Sequence, residues 1–168
     1  MKRLYALLII LIVIYIGINS FSLIFNDNGT NDADDVNESM ITVGASSLPE
    51  IENFTDNTLN DTTISLVDSN KNMTILVSEI DNSQSISDIF NNFVSSNDIS
   101  STQTIDQNGV TTYLAYSSGS DSYNADIFFN KNGQNYCISG DNILSSDSDY
   151  FINHCKGIID AISINSTS

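Results

Sequence analysis

Two cysteines, one histidine and twenty-one acids carry whatever chemistry this chain can perform. Cys137 and Cys155 are the only thiols. In an oxidising compartment such a pair is a candidate disulfide, and closing a loop of about 19 residues would stabilise by roughly 3 kcal/mol in the chain-entropy model. Strand alternation puts Cys137 on the face opposite Tyr136 and Ile138, while Cys155 shares a helical stripe with Phe151, Ile158, Ile159 and Ile162. The Cys137–Cys155 bond is expected, on condition that this helix covers the Cys137 face. Two buried free thiols are the alternative.

His154 precedes Cys155, but adjacent helix residues point about 100° apart, and no second histidine is present to act as a base. It reads as a solvent-facing helix residue. No G-x-S-x-G nucleophile elbow occurs among the many Ser residues. Asp68, Asn70, Asn72 and Glu79 stand at positions 1, 3, 5 and 12 of a calcium-loop spacing, yet Met73 occupies the position that requires Gly. Asp and Asn alternate around hairpin turns for turn reasons alone. A looser acidic set is Asp141, Asp147 and Asp149, and Asp121 with Asp126 is the acid pair a hydrolase would use. None of these meets the spacing its chemistry needs, so no catalytic, metal or cofactor site is assigned.

Net charge is -16 with five Lys and Arg, two of which, Lys2 and Arg3, stand at the extreme N-terminus. Phosphate-backbone binding needs clustered cations, which excludes nucleic acid as a partner. Cations and basic protein patches suit the charge better. Six N-x-S/T sequons mark Asn28, Asn37, Asn53, Asn60, Asn72 and Asn165 as glycosylation candidates. With 22 Asn and 38 Ser plus Thr in 168 residues, chance alone supplies about five, so the number carries no weight and the placement in polar or turn segments carries some.

The elements that must position these residues begin with Leu4 to Phe25, an uncharged apolar run whose 22 residues make a helix of roughly 33 Å. That spans a hydrocarbon core of about 30 Å. Lys2 and Arg3 before it and eight acids in residues 26–60 after it predict a single-pass anchor, N-terminus cytoplasmic and the rest extracellular. A secretory signal peptide starts in the same way, but its apolar core is shorter and ends at a small-residue cleavage site. No Cys follows the run closely to carry a lipid. The membrane itself is thus the first partner expected, through residues 4–25.

Residues 26–61 are polar and acidic, the composition of an extended stalk, although Met40 to Val43 and Ser47 to Phe54 hold a few apolar residues that could lie against a domain. Residues 62–168 form that domain. Thr62 to Val67 and Asn72 to Ile80 read as a hairpin, and Ser85 to Asp88 as a capping box opening a helix with Ile86, Ile89, Phe90, Phe93 and Val94 on one side. Ser101 to Asp106, Val110 to Ser117, Ser122 to Phe129 and Gln134 to Ser139 follow as a meander, with Asn108-Gly109 and Asn132-Gly133 as hairpin turns. Asp147 to Ser163 closes the chain as a second helix. The order ββαββββα predicts an α+β fold, an antiparallel sheet of about six strands covered by two helices.

That order, over Thr62 to Ser163, resembles the PsbP-like α/β sandwich of small exported or membrane-attached proteins. The resemblance implies an accessory or binding module more often than an enzyme, and it carries over no functional residue. Richness in Asn, Ile and Ser behind a leading anchor also resembles membrane-anchored surface proteins of AT-rich archaeal genomes. The function expected is a membrane-tethered extracytoplasmic module without catalytic machinery, recognising an envelope protein or a cell-surface polymer. An exported hydrolase with paired carboxylates and a cation-stabilised surface protein are the competing classes.

Overall fold

The computed structural model of the chain describes residues 39–165. The expected anchor and the sequon residues Asn28 and Asn37 lie outside the described residues. Among those described, no helix is long and apolar enough to cross a membrane.

The described chain runs β1 (Met40–Val43), β2 (Ser46–Pro49), β3 (Thr55–Asn60), β4 (Thr63–Asp68), β5 (Met73–Ile80), α1 (Ile86–Ser96), β6 (Ser101–Gln107), β7 (Val110–Ser118), β8 (Ser122–Lys131), β9 (Gln134–Leu144), a 3-10 turn (Ser145–Asp147), α2 (Ser148–Ala161) and β10 (Ser163–Ile164). Seven strands form one antiparallel sheet in the order β3-β4-β5-β9-β8-β7-β6, and three form a small sheet, β1-β2-β10. The fold is α+β, as the element order predicts. The sheet is one strand wider than expected, and a second sheet is added.

The seventh strand, β3, and two of the three strands of the small sheet come from the segment expected to be a stalk; β10 follows α2. From Met40 onward that segment is folded: Ile41, Val43 and Leu48 are buried in the main core. Their alternation lasts only four residues in each strand, too short to stand out from acidic surroundings. All six residues of β3 are exposed, so no hydrophobic pattern marks it and its pairing with β4 is made by backbone alone.

Elsewhere the turn chemistry acts as its residues dictate. Asn108-Gly109 and Asn132-Gly133 adopt positive φ at both positions (51° and 84°, 55° and 86°), the mirror-image turn that matches strand twist. Ser85 caps α1, its Oγ accepting from the Asp88 N–H at 3.2 Å and donating to Asp88 Oδ2 at 2.7 Å. The loop delivering α1 is fastened by buried Asn135, whose Nδ2 donates to the carbonyls of Asp81 and Gln84.

Each helix takes its own face of the sheet. Ile64, Leu66, Ile75, Val77, Ile127, Phe129 and Ile138 meet Phe151, Cys155, Ile158 and Ile159 of α2, with Val43 and Leu48 of the small sheet beside them. Each fully buried side chain of this size contributes about 1.5–3 kcal/mol, so this side dominates stability. On the opposite face Ala115, Phe128 and Cys137 pack beneath Phe90 and Phe93 of α1 in a much smaller cluster.

That division overturns the expected disulfide. α2 covers the Tyr136 and Ile138 face and α1 the Cys137 face, so the condition for pairing fails. Cys137 and Cys155 are free thiols on opposite sides of the sheet.

Candidate functional site

The acids at the β4–β5 turn act first as builders. Asp68 Oδ1 accepts from the N–H groups of Asn70 (2.9 Å) and Lys71 (3.3 Å), folding the turn on itself. Its Oδ2 accepts from the Tyr150 hydroxyl at 2.6 Å, which ties the turn to α2. That hydrogen bond and the two turn N–H groups hold the Asp68 carboxyl below the usual range, against the opposing effect of burial. Burial and the neighbouring Asp68 carboxylate push the Tyr150 phenol up to about 12. Lys71 reaches over the Tyr150 ring, 5.5 Å from its centre, and donates to Asp147 Oδ1 at 2.7 Å. The Asp147 carboxylate raises the Lys71 ammonium above its ordinary value.

Beside this pair lies an open cleft of about 250 Å³, walled by Lys71, Asn72, Asp141, Asn142, Leu144 and Asp147. Its far wall is shaped by a bulge in β9, where Asp141 and Asn142 stand opposite the single residue Asn124 of β8. There Asn142 takes a positive φ of 53° and donates its N–H to Asn124 Oδ1 at 2.9 Å. Leu144 is left 51% exposed on the rim. The cleft therefore offers carboxylates, carboxamides and one ammonium that already has a partner. It can hold a polar group by hydrogen bonds; Ser122 also lines it, and among the described residues no hydrogen bond joins the Ser122 hydroxyl to Asp141 or Asp147.

The remaining sequence candidates are dispersed. Glu79, the twelfth position of the calcium spacing, lies at the far end of β5, roughly 20 Å of extended strand from Met73. There Glu79 Oε2 accepts from the Ala45 N–H at 2.8 Å and from Ser46 Oγ at 3.4 Å, and so fastens the β1–β2 hairpin. Among the described residues no three His, Cys, Asp or Glu side chains converge to hold a metal, the Asp141, Asp147 and Asp149 set included.

Asp121 precedes β8 and Asp126 lies within it, five residues on, or about 15 Å of extended chain. Paired carboxylates of glycoside hydrolases stand roughly 5–9.5 Å apart, so this pair is not one. Asp126 instead accepts from Ser139 Oγ at 2.7 Å, and burial pushes its carboxyl up. His154 is not turned to solvent. Its Nδ1 donates to the Tyr150 carbonyl at 2.8 Å, and its ring packs on Phe54 and Tyr150. Both thiols are held up by burial, Cys137 to about 12 and Cys155 further.

The sequon residues Asn53, Asn60, Asn72 and Asn165 all stand at exposed positions. Asn60 Oδ1 accepts from both the N–H and the hydroxyl of Thr62, its own sequon threonine. Sequence reasoning missed the Asp68–Tyr150 link, the Glu79 clasp and Lys131, whose Nζ donates to the Ile159 and Asp160 carbonyls at the end of α2. The Asp-x-Asn turn signal could have pointed to Asp68. The other two join residues 28 to 34 positions apart that no local pattern connects.

The architecture is an α+β sandwich, one wide antiparallel sheet with a helix on each face. No protein-family model matches the chain, and no curated protein matches it. Among solved structures it is similar to cyanobacterial PsbP from Synechocystis, at 9% identity over 82% of this chain and 98% of that one, with a TM-score of 0.47. It is also similar to a protein from Bacteroides thetaiotaomicron, at 8% identity over 77% of this chain with a TM-score of 0.53, and spans 49% of that protein's length. These likenesses are of fold alone.

Proposed function

We propose that this chain is a membrane-tethered, extracytoplasmic accessory or binding module, held by residues 4–25 with its N-terminus in the cytoplasm. It recognises an envelope protein or a cell-surface polymer. One observation carries the reading: several of the side chains best suited to chemistry are committed to holding the fold. Asp68 builds a turn, Glu79 clasps the first hairpin, Asp126 is bonded to Ser139, His154 is bonded to the Tyr150 carbonyl, Cys155 is buried among apolar groups, and Cys137 is half-buried beneath α1 beside Ser139. A protein built this way works through its surface.

Two measurements test it. The full chain, expressed in cells, is expected to stay with membranes through alkaline carbonate extraction, and a C-terminal tag to be removed by protease added outside intact cells. A soluble product or a protected tag overturns the tether. The detergent-solubilised full chain is also expected to be retained on envelope fractions without turning over chromogenic ester, glycoside or phosphate-ester substrates. Turnover abolished by Asp126→Asn would overturn the non-catalytic reading.

A further inference from the structure

β3 ends the seven-stranded sheet, and the direction its backbone faces follows from the ladder behind it. The Glu79 N–H donates to the Thr62 carbonyl at 2.9 Å. Bonded and non-bonded pairs alternate along antiparallel strands. The next bonded pairs of β4 with β5 are therefore Ile64 with Val77 and Leu66 with Ile75. Ser65 and Val67 then turn their backbone toward β3, where they stand opposite Asn57 and Thr55. It follows that Asp56 and Thr58 turn their N–H and C=O groups away from the sheet, and no described residue bonds them.

Open edges are usually blunted by Lys, Pro or a covering element, because they invite another strand. β3 carries no Lys or Pro, all its side chains are exposed, and Leu59 is 57% exposed. A bulge between Thr58 and Asn60 ends its regular part, leaving an edge about four residues long. The opposite edge, β6, keeps alternate side chains partly covered, and its turn is tied to α2 through Gln107 and Asn108 donating to Asp160.

Charge selects the occupant. Glu50, Glu52, Asp56 and Asp61 lie on or beside β3 with no Lys or Arg between them. Residues 39–165 hold sixteen Asp and Glu against three Lys. Lys71 is bound to Asp147 and Lys131 to the end of α2. A second copy, with a net charge of -16, is repelled.

We propose that β3 is a docking edge that takes an extended, lysine- or arginine-bearing segment of a partner protein as an eighth strand. Main-chain bonds to Asp56 and Thr58 give the pairing, and the flanking acids select a basic segment over an acidic one. The proposal rests on the binding-module reading and names its surface and partner chemistry.

The test uses the full chain in detergent and a synthetic octapeptide alternating Val and Lys, together with a copy N-methylated at alternate residues and a copy with Glu in place of Lys. The Val-Lys peptide is expected to bind, more weakly as salt rises. Thr58→Pro removes an outward N–H and no sheet bond, and is expected to weaken binding at least tenfold with the melting midpoint nearly unchanged. N-methylation is expected to do the same on the wild-type chain, which decides the matter if the variant does not fold. Equal binding of the methylated peptide, or of Thr58→Pro, would mean simple adhesion to a polyanion and overturns the docking edge. Retention on envelope fractions separates the two claims. If wild type and Thr58→Pro are retained equally, the edge fails and the module reading stands; if wild type is not retained, the module reading falls as well.

Discussion

At Gly140 the side chain is missing because Phe151 fills its place: a Cβ there would lie 2.5 Å from Phe151 Cε2 and 3.0 Å from Ile143 Cδ1. Gly140→Ala is therefore expected to destabilise by about 1–3 kcal/mol, seen as a lower denaturant midpoint with an unchanged slope. The thiols give a second test at this scale. Cys155, buried, and Cys137, half-buried beneath α1, both have their thiols shifted upward; both are expected to resist alkylation in the native protein, Cys155 the more completely, and to leave the melting midpoint indifferent to reductant. A third concerns Asp68, whose folded-state pKa is lowered, chiefly by Tyr150. Its contribution is present above the ordinary value of 3.8 and is lost as pH falls through the lower folded value. Tyr150→Phe is expected to move the Asp68 titration back toward 3.8 by NMR, and the acid limb of the melting curve to higher pH. Sequence showed the parity of Cys137 but not which helix would lie over it, since both helices carry an apolar stripe and either could take either face.

Elements were legible wherever local chemistry marked them. α1 announced itself through the Ser85 box and its apolar spacing, and Ser85→Ala is expected to cost about 1 kcal/mol, with faster amide exchange in the first turn of α1. The two Asn-Gly turns set the register of β6 with β7 and of β8 with β9. β1, β2 and β3 stayed hidden for different reasons. The first two are too short for their alternation to register, and the third has no buried side chain. What places them is tertiary: Ser46 meets the Tyr136 hydroxyl at 2.6 Å, and Gly44, at φ 62°, lies so close to Glu79 that any side chain would strike it. No window of sequence around residue 45 contains Glu79 or Tyr136.

For the whole molecule, composition settled more than motif did. The acid excess, sixteen Asp and Glu against three Lys in residues 39–165, argues against a polyanionic partner such as nucleic acid. The calcium spacing, by contrast, dissolved once Asp68 and Glu79 were found at opposite ends of the β4–β5 hairpin, already bonded to other partners. Millimolar calcium is accordingly expected to leave the melting midpoint unchanged, by calorimetry with and without chelator. The two faces of the sheet are also unequal. The α2 side holds most of the large buried side chains, so hydrogen exchange is expected to release α1 well before the strands beneath α2.

The small sheet has a mechanical consequence. β1 pairs with β2 so that Met40 stands opposite Pro49, at the open end of the hairpin, and β10 adds only two residues on the other side. A load pulling on residue 39 meets these pairs one at a time, as a zipper, and not all together in shear. Peeling of β1 is resisted by the burial of Ile41 and Val43 and, at the turn, by the Glu79 clasp, so under load this hairpin is expected to open before the longer ladders of the seven-stranded sheet.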